Sequence, residues 1–328
     1  MRIQKYTTSV IIVFLFFFCV ELSAQNLVND SYGKGISFLA KDSSFYTKLG
    51  FRFQTLYTGQ HNFESGAWSE SMMIRRSRLK FDGWAFSPKV VYKIELGLSN
   101  RDTQGGQIPQ SGNTAGIILD AVVKWNFSPG WNLWFGQTKL PGNRERVISS
   151  QKLQFVDRSL VNSRFNLDRD IGVQLHHKSK VGNAVLKQAF SVSTGEGRDI
   201  ISDNPDHGRQ YTARFELLPM GEFVSKGDYF GSDLKRENSP KLSIGITGDY
   251  NNNTVRSRGN LGSFVTDNDG DYVYSDLATV FIDGIFKYNG LSVVTEYVYR
   301  SASKKINSYG YGTGITGSAG YLFKNNME

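Results

Sequence analysis

The feature that most constrains this chain is an alternation of apolar and polar residues with period two, sustained over long segments between residues 45 and 323. That period belongs to strands with two different faces, because successive side chains point to opposite sides. In 45–57 one face carries Phe45, Leu49, Phe51, Phe53 and Tyr57, and the other carries Lys48, Arg52 and Gln54. In 117–127, Leu119, Ala121, Val123, Trp125 and Phe127 stand opposite Asp120, Lys124 and Asn126. Twelve strands are expected: 45–57, 73–86, 89–99, 117–127, 131–139, 170–178, 184–194, 209–218, 240–250, 276–288, 291–301 and 313–323. They are longer than the roughly 5–6 residues usual in globular proteins and suit the ~9–11 needed to cross a bilayer at a tilt. An aromatic content of 13%, with 34 Gly and 7 Pro, agrees with many strands and turns and argues against a disordered chain. Helical spacing is absent except for a possible short helix within 219–239.

The links between strands alternate in length. Ser87-Pro88, Ser128-Pro129-Gly130, 179–183 and Asn289-Gly290 are short. Between them lie long polar loops at 58–71, 100–116, 140–169, 195–208, 251–274 and 302–312. Short turns at one end and long loops at the other is the layout of an outer-membrane barrel; 219–239 departs from it. A soluble sandwich would alternate too, but has no reason to keep its long connections at one end. The N-terminus points to export. Arg2 and Lys5 precede an apolar run from Val10 to Val20 and the short polar stretch Glu21-Leu22-Ser23-Ala24-Gln25, the order of a cleaved signal peptide. The domain reading is therefore signal peptide 1–24, leader 25–44 and barrel 45–328. The single cysteine, Cys19, lies in the signal segment, so the exported chain has no disulfide and no Cys-based metal or catalytic site.

The polar face is too charged to be a protein core and is read as wet, with the apolar face toward lipid. Tyr57, Trp125, Trp131, Tyr250, Tyr288, Tyr297 and Tyr299 sit near strand ends, where aromatic rings favour the bilayer interface. The whole chain has a formal charge of +8. On the wet face thirteen Lys and Arg stand against eight Asp and Glu. Loop 140–169 adds Arg144, Arg146, Lys152, Arg158, Arg164 and Arg169 against Glu145, Asp157 and Asp168. A narrow aqueous passage of that sign concentrates anions. Arg76, Arg78 and Lys80, spaced by two, form a ladder ~13 Å long on one strand, and like charges so close repel unless an anion shares them. The expected anion-binding residues are Arg76, Arg78, Lys80, Arg144, Arg146, Lys152, Arg158 and Arg164. Arg256 and Arg258, in loop 251–274, are expected to be solvent-screened.

The run Arg75-Arg76-Ser77-Arg78-Leu79-Lys80-Phe81-Asp82-Gly83 resembles a signature of the phosphate-selective porin O and P family, as do Gly136-Gln137-Thr138-Lys139-Leu140-Pro141, Asp157-Arg158-Ser159, Asp168-Arg169-Asp170-Ile171-Gly172-Val173, 227–234 and Pro240-Lys241-Leu242. The resemblance spans roughly 40–328. It implies a 16-stranded, trimeric outer-membrane channel of a Gram-negative bacterium, passing small anions with phosphate foremost, with an arginine ladder and an inward-folded constriction loop at 140–169. Against that pattern twelve strands are visible, and Lys324–Glu328 reads as a turn into another strand, so the sequence is expected to be C-terminally incomplete.

No enzyme site stands out. His176 and His177 are adjacent in a strand and face opposite sides, so they cannot share a metal. Gly310-Tyr311-Gly312-Thr313-Gly314 lacks the helix of a phosphate cradle, and Asp267-Asn268-Asp269-Gly270-Asp271 has Tyr272 where a calcium loop needs Gly. No cofactor, metal, catalytic residue or nucleic-acid partner is expected. The competing readings are a barrel enzyme with a nucleophile on its rim and a secreted sandwich binding carbohydrate through its aromatics.

Overall fold

The computed structural model describes residues 26–28, 35–100, 102–103, 109–112, 115–201, 208–306 and 308–324; the expected signal peptide lies outside them. Fourteen strands form one sheet in sequence order, each antiparallel to its neighbours. They are β1 (Asn26–Val28), β2 (Ile36–Leu39), β3 (Phe45–His61), β4 (Trp68–Ala85), β5 (Ser87–Gly97), β6 (Ile118–Ser128), β7 (Trp131–Lys139), β8 (Arg169–Val181), β9 (Ala184–Ser193), β10 (Gln210–Leu218), β11 (Lys241–Thr254), β12 (Ser275–Tyr288), β13 (Leu291–Ala302) and β14 (Gly312–Tyr321). The twelve expected strands are β3 to β14. Among the described residues β1 and β14 do not pair with each other.

Two boundaries differ from expectation. Residues 25–44, read as a leader, contain β1 and β2, and Ile36 pairs with Leu49 so that β2 extends the ladder of β3. The expected loop 58–71 is mostly strand, since β3 and β4 remain paired out to His61 and Trp68. From Gln60 to Ile74 both faces are exposed, so no alternation of burial marks those residues as strand. At the opposite end the turns are tight. Asn289 and Gly290 both take positive φ, 47° and 94°, which matches the twist of the strands they join.

The outer face carries exposed apolar side chains strand after strand, among them Phe51, Phe53, Phe135, Ile246, Ile282 and Ile315. Such a continuous apolar surface calls for lipid. The inner face is not wet throughout, contrary to expectation. On β12 and β13 it carries Phe281, Ile285 and Val298, all 0% exposed. Phe281 and Val298 pack with Phe165 and Leu167 of the β7–β8 connection. Ile285 packs with Val185, Leu218 and Phe223. Inward-folded segments thus cover this side with small apolar cores. The charged inner wall stays open along β4 to β10.

Candidate functional site

The β7–β8 connection, 140–168, folds against the inner wall and contains two short helices not expected from the sequence, α1 (Arg144–Val147) and α2 (Leu160–Phe165). Their pinning is chemical. Lys139 Nζ donates to the carbonyls of Arg146, Val147 and Ile148 at 2.6, 3.2 and 3.4 Å, closing the end of α1. Arg158 donates to the Glu145 and Ile148 carbonyls, each at 2.8 Å. Ser159 caps α2 by accepting from Asn162 N at 3.1 Å, and the Glu145 carboxylate accepts from Ser159 N and Oγ, each at 2.6 Å. Arg146 grips Asp168, with Nε to Oδ1 at 2.7 Å. Burial would raise the Asp168 carboxyl, yet Arg146 and Arg169 hold it below its ordinary value.

Arg144 is the deepest anchor. It is 1% exposed and donates to Asp283 at 2.5 Å, to Ser243 at 2.9 Å and to the Asp228 carbonyl at 3.0 Å, with Glu216 at 3.4 Å. Arg214 pairs with the same Glu216 and Asp283 at 2.6 and 2.7 Å. Two guanidiniums therefore share two carboxylates in a buried knot, with Lys187 Nζ 3.9 Å from Glu216 at its edge.

A second segment enters from the short-turn end. Residues 219–239 contain 3-10 turns over Val224–Tyr229 broken by a kink at Ser225 and Lys226, where the sequence suggested a short helix. Asp228 pairs with Lys187, and Tyr229 Oη donates to Glu216 at 2.9 Å. This segment meets the first where Gly231 N donates to the Lys152 carbonyl at 2.7 Å. A Cβ on Gly231 would lie 2.5 Å from Gln154 N, so glycine is what allows the approach.

Between these segments and the wall of β4 to β10 lies a cavity of about 540 Å³. Ten Lys and Arg side chains line it against three carboxylates, Glu95, Asp120 and Glu216. Several cations are already paired: Lys93 with Glu95 and Asp120, each at 2.8 Å, and Arg169 with Asp120 at 3.1 Å. Lys124, Lys152 and Lys226 make no ion pair among the described residues. Lys124 Nζ lies 3.6 Å from the Trp134 ring centroid, and Lys152 Nζ lies 3.9 Å from that of Phe230. Burial pushes the Lys152 amine below its ordinary range, and the charges of Lys226 and Lys80 push it further. Ser225 and Lys226 both hold left-handed φ, 54° and 58°, a conformation costing about 1–2 kcal/mol for each non-glycine residue.

The expected anion residues distribute unevenly. Lys152 lines the cavity, as does Arg78, but Arg78 is consumed by Asp102 at 2.6 Å and Glu95 at 3.0 Å. Lys80 pairs with Asp82 at 2.7 Å. The ladder's mutual repulsion is thus relieved by carboxylates on the protein. Arg76, 5% exposed, donates to Gln54 at 2.8 Å. Arg144, Arg146 and Arg158 are braces of the loop, a correction caused by buried carboxylates and carbonyls that the sequence order does not bring together. Arg164 is exposed, and its guanidinium lies 6.0 Å from the Phe165 ring centroid. Arg256, expected to be screened, is 4% exposed and packs over Phe264; Arg258 donates to the Ser163 carbonyl at 2.8 Å. Loop 251–274 folds down onto 140–168 instead of standing free.

Four residues near this path were not among the anion-binding residues expected from the sequence, although Arg52 and Lys124 were read on the wet face. Arg52 and Lys124 are single alternating positions, and Lys226 sits in a segment without period. Arg75 is on the wrong parity, but it is the extra residue of a bulge on β4, opposite Gln54 and Thr55 of β3, and lies buried beside Arg76. His176 and His177 stack on Trp134 and Trp131 at 4.0 and 4.1 Å between ring centroids. Among the described residues no group of three or more His, Cys, Asp or Glu could hold a metal.

A long-stranded antiparallel sheet with a lipid-facing outer surface and a charged, loop-narrowed interior defines an outer-membrane channel protein. The chain belongs to the phosphate-selective porin O and P family, whose model matches residues 47–323. It is an outer-membrane porin. A search of curated proteins found no match. Among solved structures, a loop-deletion form of OmpT, an outer-membrane protein of Vibrio cholerae, is similar at 10% identity and a TM-score of 0.30, covering 84% of this chain and 99% of that one. The in-vitro folded OmpT is similar at 10% identity and a TM-score of 0.25, covering 90% and 99%. The assignment rests on the family match.

Proposed function

We propose that this porin is a passive, anion-preferring channel and not an enzyme, with phosphate its foremost solute. The observation that carries this reading is the cavity wall, where Lys124, Lys152 and Lys226 make no ion pair among the described residues beside cations such as Lys93, Arg169 and Lys187 that are paired with carboxylates. An aqueous passage of that sign raises the local anion concentration and repels cations. The path runs along β4 to β10, because apolar cores occupy the inner face of β12 and β13. Anions meet Arg52, Arg75 and Arg76 at the level of residues 150–157, then Lys80, Lys124, Lys152 and Lys226 where the two inward segments touch. Cations paired within the wall set the field, and the lysines without ion pairs bind and release. Loop 140–169 is the constriction. The working unit is a homotrimer in outer-membrane lipid, as the family resemblance implies, delivered by the cleaved signal peptide read at 1–24 from the order of basic, apolar and polar residues. The test is the reversal potential of single channels in a KCl gradient. An anion-selective sign is expected, and a cation-selective sign would sink the reading.

A further inference from the structure

The bulge on β4 aims two consecutive guanidiniums inward, Arg75 at 9% and Arg76 at 5% exposure. Nearby Arg52 donates, among the described residues, to the neutral acceptors Gln54 at 3.3 Å and Ser150 at 2.9 Å. Arg76 donates to the same Gln54. The carboxylate that meets this cluster is Asp157, paired with Arg75 and 4.0 Å from Arg76. The burial of the partners is lopsided: the arginine side chains are 10% and 7% exposed, and that of Asp157 is 52% exposed. Arg75 Nε is buried with no hydrogen-bond partner. Asp157 rides on 151–157, a stretch without helix or strand, between α1, closed by Lys139 and Arg158, and α2, capped by Ser159.

A carboxylate and a tetrahedral oxyanion present similar oxygens to a guanidinium pair, and both bind by charge-assisted hydrogen bonds. A carboxylate half in water leaves this pair open to solvent, so a solute oxyanion can reach the guanidiniums and exchange with it. Resting on the anion-channel reading, we propose that Asp157 is an internal, displaceable counter-ion that occupies the Arg75–Arg76 pair until a passing oxyanion takes its place. It holds solute affinity low enough for release, which throughput requires.

The experiment measures inorganic phosphate block of chloride current through the full chain in planar bilayers. Asp157→Asn should lower the half-blocking phosphate concentration about fivefold, the equivalent of roughly 1 kcal/mol. Arg75→Gln should raise it, and Asp157→Asn added to Arg75→Gln should change nothing further, since the competition is local. A spin label at Phe155→Cys, an exposed neighbour, should gain mobility when phosphate is added to the protein with Asp157 intact and not in Asp157→Asn. Unchanged or weaker block in Asp157→Asn, the same shift in the Arg75→Gln background, or a label indifferent to phosphate would each overturn the proposal. A wild-type channel of cation-selective sign would instead remove the reading beneath it.

Discussion

Lys152 and Arg144 show how little a side chain's charge says about its task until its partners are known. Lys152 carries no ion pair among the described residues, and burial with Lys226 and Lys80 lowers its proton affinity. The sign follows: a cation whose folded pKa is depressed destabilises the folded state at lower pH, and that penalty fades as pH rises through the folded pKa toward the unfolded value. Its contribution to anion selectivity fades over the same window, which begins below the ordinary lysine value of about 10.4. Reversal potentials measured from pH 7 to pH 10 should therefore drift toward zero, and Lys152→Met should start lower and drift less. Identical drift in the variant would assign the titration to another group. Arg144 has the opposite character, because its charge is closed within the knot of Arg214, Glu216 and Asp283. Removing one member of a buried pair typically costs about 3–5 kcal/mol. Arg144→Met should lower the temperature at which heat-modifiable gel migration is lost, and Asp283→Asn added to it should restore part of the difference. Full retention in the single variant would mean the knot does not anchor the loop.

The two inward segments owe their positions to each other as much as to the wall. They touch at Gly231, where a Cβ would fall 2.5 Å from a backbone nitrogen of the other segment. Gly231→Ala must separate them, at a cost on the order of 1–3 kcal/mol. It should widen the passage, raising single-channel conductance with little change in the sign of selectivity. Unaltered conductance would show that this contact does not set the width. The strands were legible in sequence because a two-faced wall repeats every second residue. The helices α1 and α2 were not, because a turn or two of helix held by Lys139, Arg158 and Ser159 leaves no periodic trace. The bulge at Arg75 escaped for a related reason: one inserted residue reverses parity locally without altering composition.

Across the whole molecule, the interior is divided between a charged open side and a side filled by apolar cores. Cysteine substitution tests that division directly, since Cys19 is the only native cysteine. Asn132→Cys and Gln174→Cys line the cavity and should react with a negatively charged thiol reagent, cutting the current by half or more. Val298→Cys is packed against Phe165 and Leu167 and should be unreactive in the folded channel. Rapid reaction at Val298→Cys would place the water path on the other side. The same division explains why a tally of inner-face charges captured the sign of the interior but not its site: it counted braces and binding groups alike.

From sequence alone came strands β3 to β14, the side of each that meets lipid, the ends that carry long and short connections, and the excess of positive charge within. These are local or summed properties, set by side-chain alternation and composition. Which cations remain without an ion pair was decided only by the tertiary structure. Pairing depends on carboxylates brought in from distant parts of the chain: Asp102 onto Arg78, Asp283 onto Arg144, Asp157 onto Arg75. Whether a charge braces the fold or meets solute depends on how firmly such a partner holds it, and that is fixed only once the loops have folded inward.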